Sequence, residues 1–458
     1  MPTLPQKFAD RMEKLLGEEY PLFEKALAEA AAKAFRINTL KCKDKDSVVS
    51  LFSAGEVPYS ENCYYLSEDA EGIGNTPYHH SGMIYLQDPG AMATVAALKD
   101  KEGFLGARVC DLCSAPGGKS SHIAEIIGEG GFLLANEFVP KRAKILVGNF
   151  ERLGIKNASV TSLDTGELSR LYQDRFDLVI ADAPCSGEGM FRKGESALDM
   201  WSEENIALCR DRQDYILDNA AKMVKGGGYL LYSTCTYSLE ENEMAVDAFL
   251  ARHGNFSLEK VSDEVIAYTA DGINFEGAKS QNLNLCRRFY PHRARGEGQF
   301  IALMKKNGEG KGNINFEDAA KPLKKEEAEI INRFFKENLE EIPEGKIIKQ
   351  GENYILSLHG EPLPPKSVFS GGILIGEIRG KMLFPSHQFF SALGKHFKIK
   401  AELSEQEALL YLRGEEIPTE KEARGWCAVN FLGATLGGGK ISEGRIKNHY
   451  PKGLRLKG

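Results

Sequence analysis

Apolar residues recur at helical spacing over Lys7–Leu16 and again over Leu22–Lys33, the second stretch rich in alanine, and predict two helices near the start of the chain. FRINTLK (35–41) reads as a strand. From about residue 80 to 304 the pattern changes. Short apolar runs, ARVCDL (107–112), GFLLANE (131–137), FDLVIAD (176–182) and GYLLYST (228–234), alternate with helical stretches such as Lys119–Ile127 and Pro140–Leu153. Pro140 suits a first helical turn, and Gly154 a stop. VTSLD (160–164) predicts a further strand, and Ser238 with Glu241 three residues on predicts a helix opened by a capping box. Buried strands alternating with crossover helices are the pattern of a parallel sheet, so the fold class is α/β.

Beyond this region the pattern weakens. KKNGEGKGN (305–313) is polar and glycine-rich and reads as a linker, 314–360 as helix-rich and charged, and 368–458 as short strands and turns with no fixed repeat. The organisation expected is therefore an α+β region over 1–80, the α/β domain over 81–306, a linker with a helical region over 307–367, and a strand-rich region over 368–458.

Composition narrows the class. A chain of 458 residues, 42% apolar and 27% charged, is that of a folded globular protein. A net charge of −7 excludes a generally basic coat but not a local basic face. The sequence offers no apolar run of about 18 residues, and its first residues alternate charge with apolar positions, so neither a membrane span nor a signal peptide is expected. The nine cysteines are scattered. Cys110 and Cys113 fall at a strand end and are not read as a thiol pair. A disulfide framework or zinc ribbon is not expected, no metal is called for, and a reducing cytoplasm is the natural home.

The chemistry begins at DLCSAPGGKS (111–120), where a strand ends, Pro116-Gly117-Gly118 turns tightly, and Lys119 and Ser120 open a helix. Helix-terminal N–H groups favour a polar or anionic ligand. The loop is no P-loop, which needs glycine where Cys113 stands, and its spacing is not that of a dinucleotide fingerprint. A glycine turn after a strand is most often only a turn. Glu137, about 20 residues on at the next strand end, changes that reading, because an acid there takes ribose hydroxyls. Asp164 could reach an adenine amino group, although alone it reads as a turn residue. Asp182 precedes Ala-Pro-Cys-Ser-Gly at the end of an apolar strand, and Cys235 ends the next. Asp111, Glu137, Asp164, Asp182 and Cys235 thus converge at strand carboxyl ends, where open α/β sheets bind ligands. Which of Cys185 and Cys235 would act as a nucleophile is not decided by the residues alone.

DLCSAPGGKS, DAPCSGEG (182–189) and STCTYS (233–238) resemble motifs I, IV and VI of the Sun-related RNA cytosine methyltransferases, which use S-adenosylmethionine to modify carbon 5. QDPGAMA (87–93), the segment 190–217 and RRFYPHRARGEGQFIALM (287–304) are similar to the same family. The C-terminal Gly425-Trp426 and NHYPKGLR (448–455) resemble the PUA-like region of its RsmF-type 16S rRNA group. The resemblance implies a Rossmann-like class I methyltransferase domain over 81–306, an N-terminal RNA-binding α+β domain, a helical region and a PUA-like RNA-binding domain over 368–458. It implies S-adenosylmethionine held by Cys113, Ser114, Ala115, Pro116, Gly117, Gly118, Lys119, Glu137, Arg142, Asp164 and Asp182. Cys235 becomes the nucleophile that adds to cytosine carbon 6, Asp182 stabilises the adduct, and Cys185 serves its release. Lys119 orients Asp182, lowers a cysteine pKa, or is only a surface lysine at a helix N-terminus. In related DNA enzymes the Pro-Cys motif attacks, so Cys185 is the rival.

The partner implied is RNA, 16S rRNA or the 30S subunit, with no DNA and no membrane, the protein acting as a monomer. Lys440, Arg445, Lys447, Lys452, Arg455 and Lys457, with Tyr450 and His449 interleaved, form a basic tail for phosphates and bases, and Arg287, Arg288, Arg293 and Arg295 a second basic cluster. His292 reads as structural. A tRNA methyltransferase and a non-catalytic RNA-binding assembly factor are the rival readings. A methyltransferase acting on nitrogen or on protein is disfavoured, because such chemistry needs no cysteine.

Overall fold

The computed structural model describes residues 4–457 except 102, 194, 311, 319 and 322. Lys311 of the expected linker and Gly194 of the segment 190–217 lie outside the described residues. A ten-stranded sheet forms the centre. Its parallel strands stand in the order Val224–Thr234, Phe176–Asp182, Arg108–Asp111, Phe132–Asn136, Ala158–Thr161. The chain proceeds from Arg108–Asp111 outward to Ala158–Thr161, then returns to the other side of its starting strand. That reversal opens a crevice beyond the carboxyl ends beside Asp111. Leu178, Val179, Ile180 and Ala181 are fully buried, as expected of a parallel strand covered on both faces. Gln299–Lys306 pairs antiparallel with Val224–Thr234, and Arg287–Phe289 follows it. At the opposite edge Val368–Ser370 pairs antiparallel with Ala158–Thr161, so the C-terminal half contributes a strand to the central sheet.

A four-stranded antiparallel sheet, in the order Ser53–Glu56, Cys63–Leu66, Ala34–Ile37, Ile84–Leu86, forms the N-terminal domain. The C-terminal half holds a four-stranded sheet spanning Lys346–Pro385 and a five-stranded sheet built from Lys400–Leu403, Gly425–Phe431, Ala434–Ser442, Arg445–Asn448 and Ile417–Pro418. Phe35, Tyr64 and Met83 of the N-terminal domain share one core with Leu403, Tyr411 and Phe431 of the last sheet.

A buried cation pins this junction. Lys41 Nζ donates to the Arg152 carbonyl at 3.2 Å, Ser391 Oγ at 2.9 Å and the Thr435 carbonyl at 2.8 Å, tying the N-terminal domain to both later regions. Arg152 Nη1 donates in turn to the carbonyls of His79 (2.6 Å) and Ile84 (3.1 Å). Burial, with Arg152 nearby, lowers Lys41 to about 7, and burial lowers His387 and His79 to about 3.

Several local expectations change. The helix expected to Lys33 is Tyr20–Ala28, with Glu29 extended, because the alanines beyond it offer no large apolar face to bury. The region 314–360 contains one described helix, Lys325–Asn338, and then the hairpin Lys346–Gln350 and Asn353–Ser357. That hairpin pairs with Ile373–Arg379, so the domain edge expected at 367 falls inside a sheet. Asn313–Ile314, at the end of the expected linker, pairs with Tyr172–Gln173. No described helix is long and apolar enough to cross a membrane.

Candidate active site

The crevice is closed at its base by side chains that hold strand ends to one another. Asn136 Nδ2 donates to the carbonyls of Leu112 and Leu163, while its Oδ1 accepts from Thr161 Oγ1 and the Leu163 N–H. Asp111 accepts from Ser120 Oγ (2.6 Å) and the Cys113 N–H (3.2 Å), fixing the turn between them. Burial, opposed by Ser120, pushes the Asp111 carboxyl up to about 7. Ser114 Oγ donates to the Asp111 carbonyl, Arg142 Nη2 to the Ala115 carbonyl and Asn149 Nδ2 to the Pro116 carbonyl. The glycines let the loop lie close to its neighbours. A Cβ on Gly118 would fall 3.1 Å from the Tyr85 ring. The helix Gly118–Ile126 follows.

Glu137 is 3% exposed, and its Oε2 has no hydrogen-bond donor, although Arg142 Nη1 lies 3.3 Å away. A buried carboxylate oxygen with a free lone pair fits a ribose hydroxyl. Phe138, beside it and 65% exposed, offers an apolar face for a purine. The donor set of the loop therefore fits a nucleoside cofactor such as S-adenosylmethionine. Asp164 is at the rim, where its Oδ1 caps the helix Thr165–Leu171 through the N–H groups of Gly166 and Glu167 and accepts from Tyr215 at 2.7 Å.

The chemistry-bearing side chains meet at the next two strand ends. Cys185 Sγ and Cys235 Sγ stand 3.3 Å apart. Lys119 Nζ lies 2.8 Å from Asp182 Oδ2, and Ser233 Oγ donates to Asp182 Oδ1 at 2.7 Å. Burial works against the charge of Lys119, but Asp182 outweighs it and holds the ammonium above its ordinary range, with Cys235 adding in the same direction. The hydrogen bond to Cys235 and then burial push the Cys185 thiol well up, and the carboxylate of Glu241 adds to the rise. Cys185 therefore keeps its proton. Burial likewise raises Cys113, which packs in the cofactor loop.

Two buried glutamates missed in the sequence hold the cysteine loops together. Glu241 accepts from the Ser186 N–H (3.0 Å), Ser186 Oγ and Gln213 Nε2 (2.8 Å). The helix expected to open at Ser238 instead begins at Glu243. Ser238 Oγ does accept from the Glu241 N–H, but the Glu241 carboxylate leaves the cap for the Pro-Cys-Ser loop. Glu188 accepts from Trp201 Nε1 (2.9 Å), Thr236 Oγ1 (2.8 Å) and the Tyr237 N–H (2.9 Å). The Gly189 N–H donates to the Cys235 carbonyl, and a Cβ at 189 would lie 2.7 Å from that oxygen. The signal for Glu188 was its place between two glycines; for Glu241 the capping-box spacing masked it.

The expected basic patches also change. Arg287 and Arg288 are buried and satisfied inside the protein, Arg288 by Glu243 and the Tyr237 carbonyl, Arg287 by Thr269 and Asp271. A guanidinium consumed by a carboxylate and carbonyls has nothing left for phosphate. Arg293 pairs with Glu19, and Arg295 lies over the Tyr65 ring. His292 contacts Glu19 and the ring of Phe23, a structural setting. Tyr450 is buried, its hydroxyl 3.0 Å from His80 Nδ1, and cannot stack on a base.

Residues 95–305 match the family model described as 16S rRNA methyltransferase RsmB/F, residues 4–89 the N-terminal domain of 16S rRNA methyltransferase RsmF, and residues 398–456 the methyltransferase RsmF PUA domain. The chain is 30% identical to ribosomal RNA small subunit methyltransferase F of Vibrio parahaemolyticus, covering 98% of this chain and 97% of the relative. It is 30% identical to the protein of the same name from Aeromonas salmonicida, covering 92% and 90%. A methyltransferase homolog from Pyrococcus horikoshii is similar in structure at 29% identity and a TM-score of 0.57, over 66% of this chain and 95% of that one. NSun6 from the same organism, at 23% identity and a TM-score of 0.53, shares the fold over 67% and 99%.

Proposed function

The chain belongs to the RsmF family of 16S rRNA methyltransferases, and from that premise we propose how its own residues methylate carbon 5 of cytosine in 16S rRNA. The enzyme is an S-adenosylmethionine-dependent RNA methyltransferase. The observation that supports the mechanism is the pair of thiols 3.3 Å apart beside a carboxylate held by Lys119.

Cytosine carbon 5 is a weak nucleophile until electron density is pushed onto it. Cys235 adds through its sulfur to ring carbon 6 while its proton passes to ring nitrogen 3, and the ring electrons shift toward carbon 5. Asp182, fixed on both oxygens by Lys119 and Ser233, accepts from the N–H so formed and from the amino group, and stabilises the protonated ring. The loop 113–119, Glu137, Arg142, Asp164 and Asp182 would hold S-adenosylmethionine, which when bound would supply an electrophilic methyl group to carbon 5 and leave as the neutral thioether. Once Cys235 is bonded to carbon, its hydrogen bond with Cys185, the foremost cause that pushes the Cys185 thiol up, is gone. Cys185 then gives its own proton to solvent and takes the one on carbon 5. The electron pair re-forms the ring double bond and expels Cys235, which recovers its proton from ring nitrogen 3. A base-paired target must leave its helix to reach the thiols.

The test is transfer of labelled methyl to 30S subunits, naked 16S rRNA and tRNA by wild type and Cys235→Ala. The expected result is label in 5-methylcytosine of 16S rRNA, free or in the subunit, that disappears in the variant. Label surviving the substitution would move attack to Cys185. Label only in tRNA would overturn the substrate.

A further inference from the structure

Next to the two thiols, the loops that bear them are joined by a line of four oxygens. Glu241 Oε1 lies 2.5 Å from Ser186 Oγ, Ser186 Oγ 2.8 Å from Thr236 Oγ1, and Thr236 Oγ1 2.8 Å from Glu188 Oε2. Ser186 follows Cys185 in the chain and Thr236 follows Cys235, so the line links the residue after each thiol. All four side chains are buried.

Two ionised carboxylates leave this line one hydrogen short. Each hydroxyl carries a single hydrogen, and a carboxylate only accepts. With both glutamates ionised, Ser186 donates to Glu241 and Thr236 to Glu188, and no hydrogen is left for the contact between the two hydroxyl oxygens. A buried contact of that length without a hydrogen sets lone pair against lone pair, where an unmade bond is costly. The third hydrogen has to sit on a carboxyl.

The remaining partners select Glu241. Both of its N–H donors, Ser186 N–H at 3.0 Å and Gln213 Nε2 at 2.8 Å, fall on Oε2, and among the described residues Oε1 meets Ser186 Oγ alone. That is the pattern of a neutral acid, a carbonyl oxygen that accepts twice and a hydroxyl that donates once. On Glu188 both oxygens take N–H donors, Trp201 Nε1 on Oε1 and the Tyr237 N–H on Oε2. Burial raises Glu188, opposed by Trp201, Thr236 and the Arg11 guanidinium, and burial pushes Glu241 up to about 7.

We propose that Glu241 works as a neutral carboxylic acid, donating to Ser186, which donates to Thr236, which donates to an ionised Glu188, a one-way chain that makes both glutamates positioning residues for the thiols. This rests on the reading of Cys185 as the thiol of the release step. The chain ties the two cysteine loops together, and it keeps a negative charge away from Cys185, whose ionisation a Glu241 carboxylate opposes.

Glutamine at 241 reproduces a neutral acid, with an oxygen under the two N–H groups and a donor toward Ser186. Glutamine at 188 cannot, because that position takes three donors and gives none. In the full chain without substrate at neutral pH, the infrared difference between wild type and Glu241→Gln is expected to show the carbonyl stretch of a protonated carboxyl in wild type. A difference confined to carboxylate bands would overturn the assignment. The groups facing Glu241 are Cys185, Cys209, Tyr232 and Glu188; Arg210 beyond them is paired with Asp214, and Glu240 with Arg11. Cys185 is raised by its bond to Cys235, and Cys209 and Tyr232 by burial. Cys235 is present in both proteins and cancels in a ratio. The ratio of wild-type kcat to Glu241→Gln kcat on 16S rRNA is therefore expected to fall by about threefold or more from pH 6 to 9. A constant ratio would overturn the proposal. Glu188→Gln is expected to lose about tenfold or more kcat beyond the loss in Glu241→Gln, with KM for RNA within about twofold in both. The reverse order would also overturn it. Wild type that shows the protonated carboxyl but methylates no RNA would sink the catalytic reading and leave the proton on Glu241.

Discussion

Two clusters of buried charge in this protein are built on opposite principles. In the catalytic crevice, Lys119 faces Asp182, and Glu188 and Glu241 are ringed by donors from the loops that bear the thiols. At the module junction, buried Lys41 and half-buried Arg152 have only carbonyl and hydroxyl oxygens as partners; burial lowers both, and Arg152 lowers Lys41 further. The difference separates charge kept for chemistry from charge kept for assembly. In the crevice, on the proposed mechanism, a counter-charge fixes orientation at the reacting atoms. At the junction an ammonium, with its three donors, gathers backbone ends that no helix or sheet satisfies.

The comparison breaks most sharply at the thiols. Cys235→Ala is expected to lower methyl transfer by on the order of 10³-fold or more, as loss of a nucleophile does. Cys185→Ala, which keeps attack but removes the release step, is expected to accumulate protein–RNA adduct that survives denaturing electrophoresis. Adduct in Cys235→Ala and none in Cys185→Ala would exchange their roles. Next in size, Lys119→Met should reduce kcat by about 10- to 100-fold by freeing Asp182, with the urea midpoint nearly unchanged. Lys41→Met should do the reverse, costing about 1–3 kcal/mol of stability through carbonyls left without donors, with kcat of the folded enzyme retained. A Lys41→Met enzyme as stable as wild type would erase the distinction.

A pH series sharpens it by sign. Lys41, at about 7 when folded, has an ordinary value near 10.5, so the unfolded chain binds more protons between those limits, and Lys41 makes stability rise with pH across that window. Asp111, at about 7 when folded against 3.8, binds more protons in the folded chain, and makes stability fall as pH rises from about 4 to 7. Stability differences of wild type against Lys41→Met and against Asp111→Asn, measured by urea unfolding from pH 4 to 10, should therefore slope in opposite directions in adjoining windows. Parallel slopes would contradict both assignments.

Much of the crevice was legible before any coordinates, because it is local. Phe176–Asp182 is an apolar run that ends at a carboxylate, and Pro140–Leu153 is bounded by Pro140 and Gly154, the latter left-handed at φ 69°. Partnerships between distant segments were not legible. Glu241 obeys the spacing of a capping box, yet its carboxylate is claimed by Ser186, 55 residues away. Arg288 looks like any surface cation in sequence, and only the fold reveals Glu243 behind it. Tyr450 and Trp426 are both aromatic residues near basic ones; which is buried depends on the Tyr411 and His387 rings that pack on Tyr450. Periodicity reports which face of an element is buried, but not what it is buried against.

The short strand Val368–Ser370 has a consequence for how the chain can be divided. It covers Ala158–Thr161, and Ser162 N–H closes onto the Ser367 carbonyl at 2.9 Å. Without it, the catalytic sheet would end in a row of unpaired amides and carbonyls, an open template for any passing strand. A fragment cut at about residue 310 would retain the thiols, the loop and the carboxylates, yet expose a sticky border along which copies of itself can pair. The later half of the chain thus closes one border of the central sheet as well as forming sheets of its own.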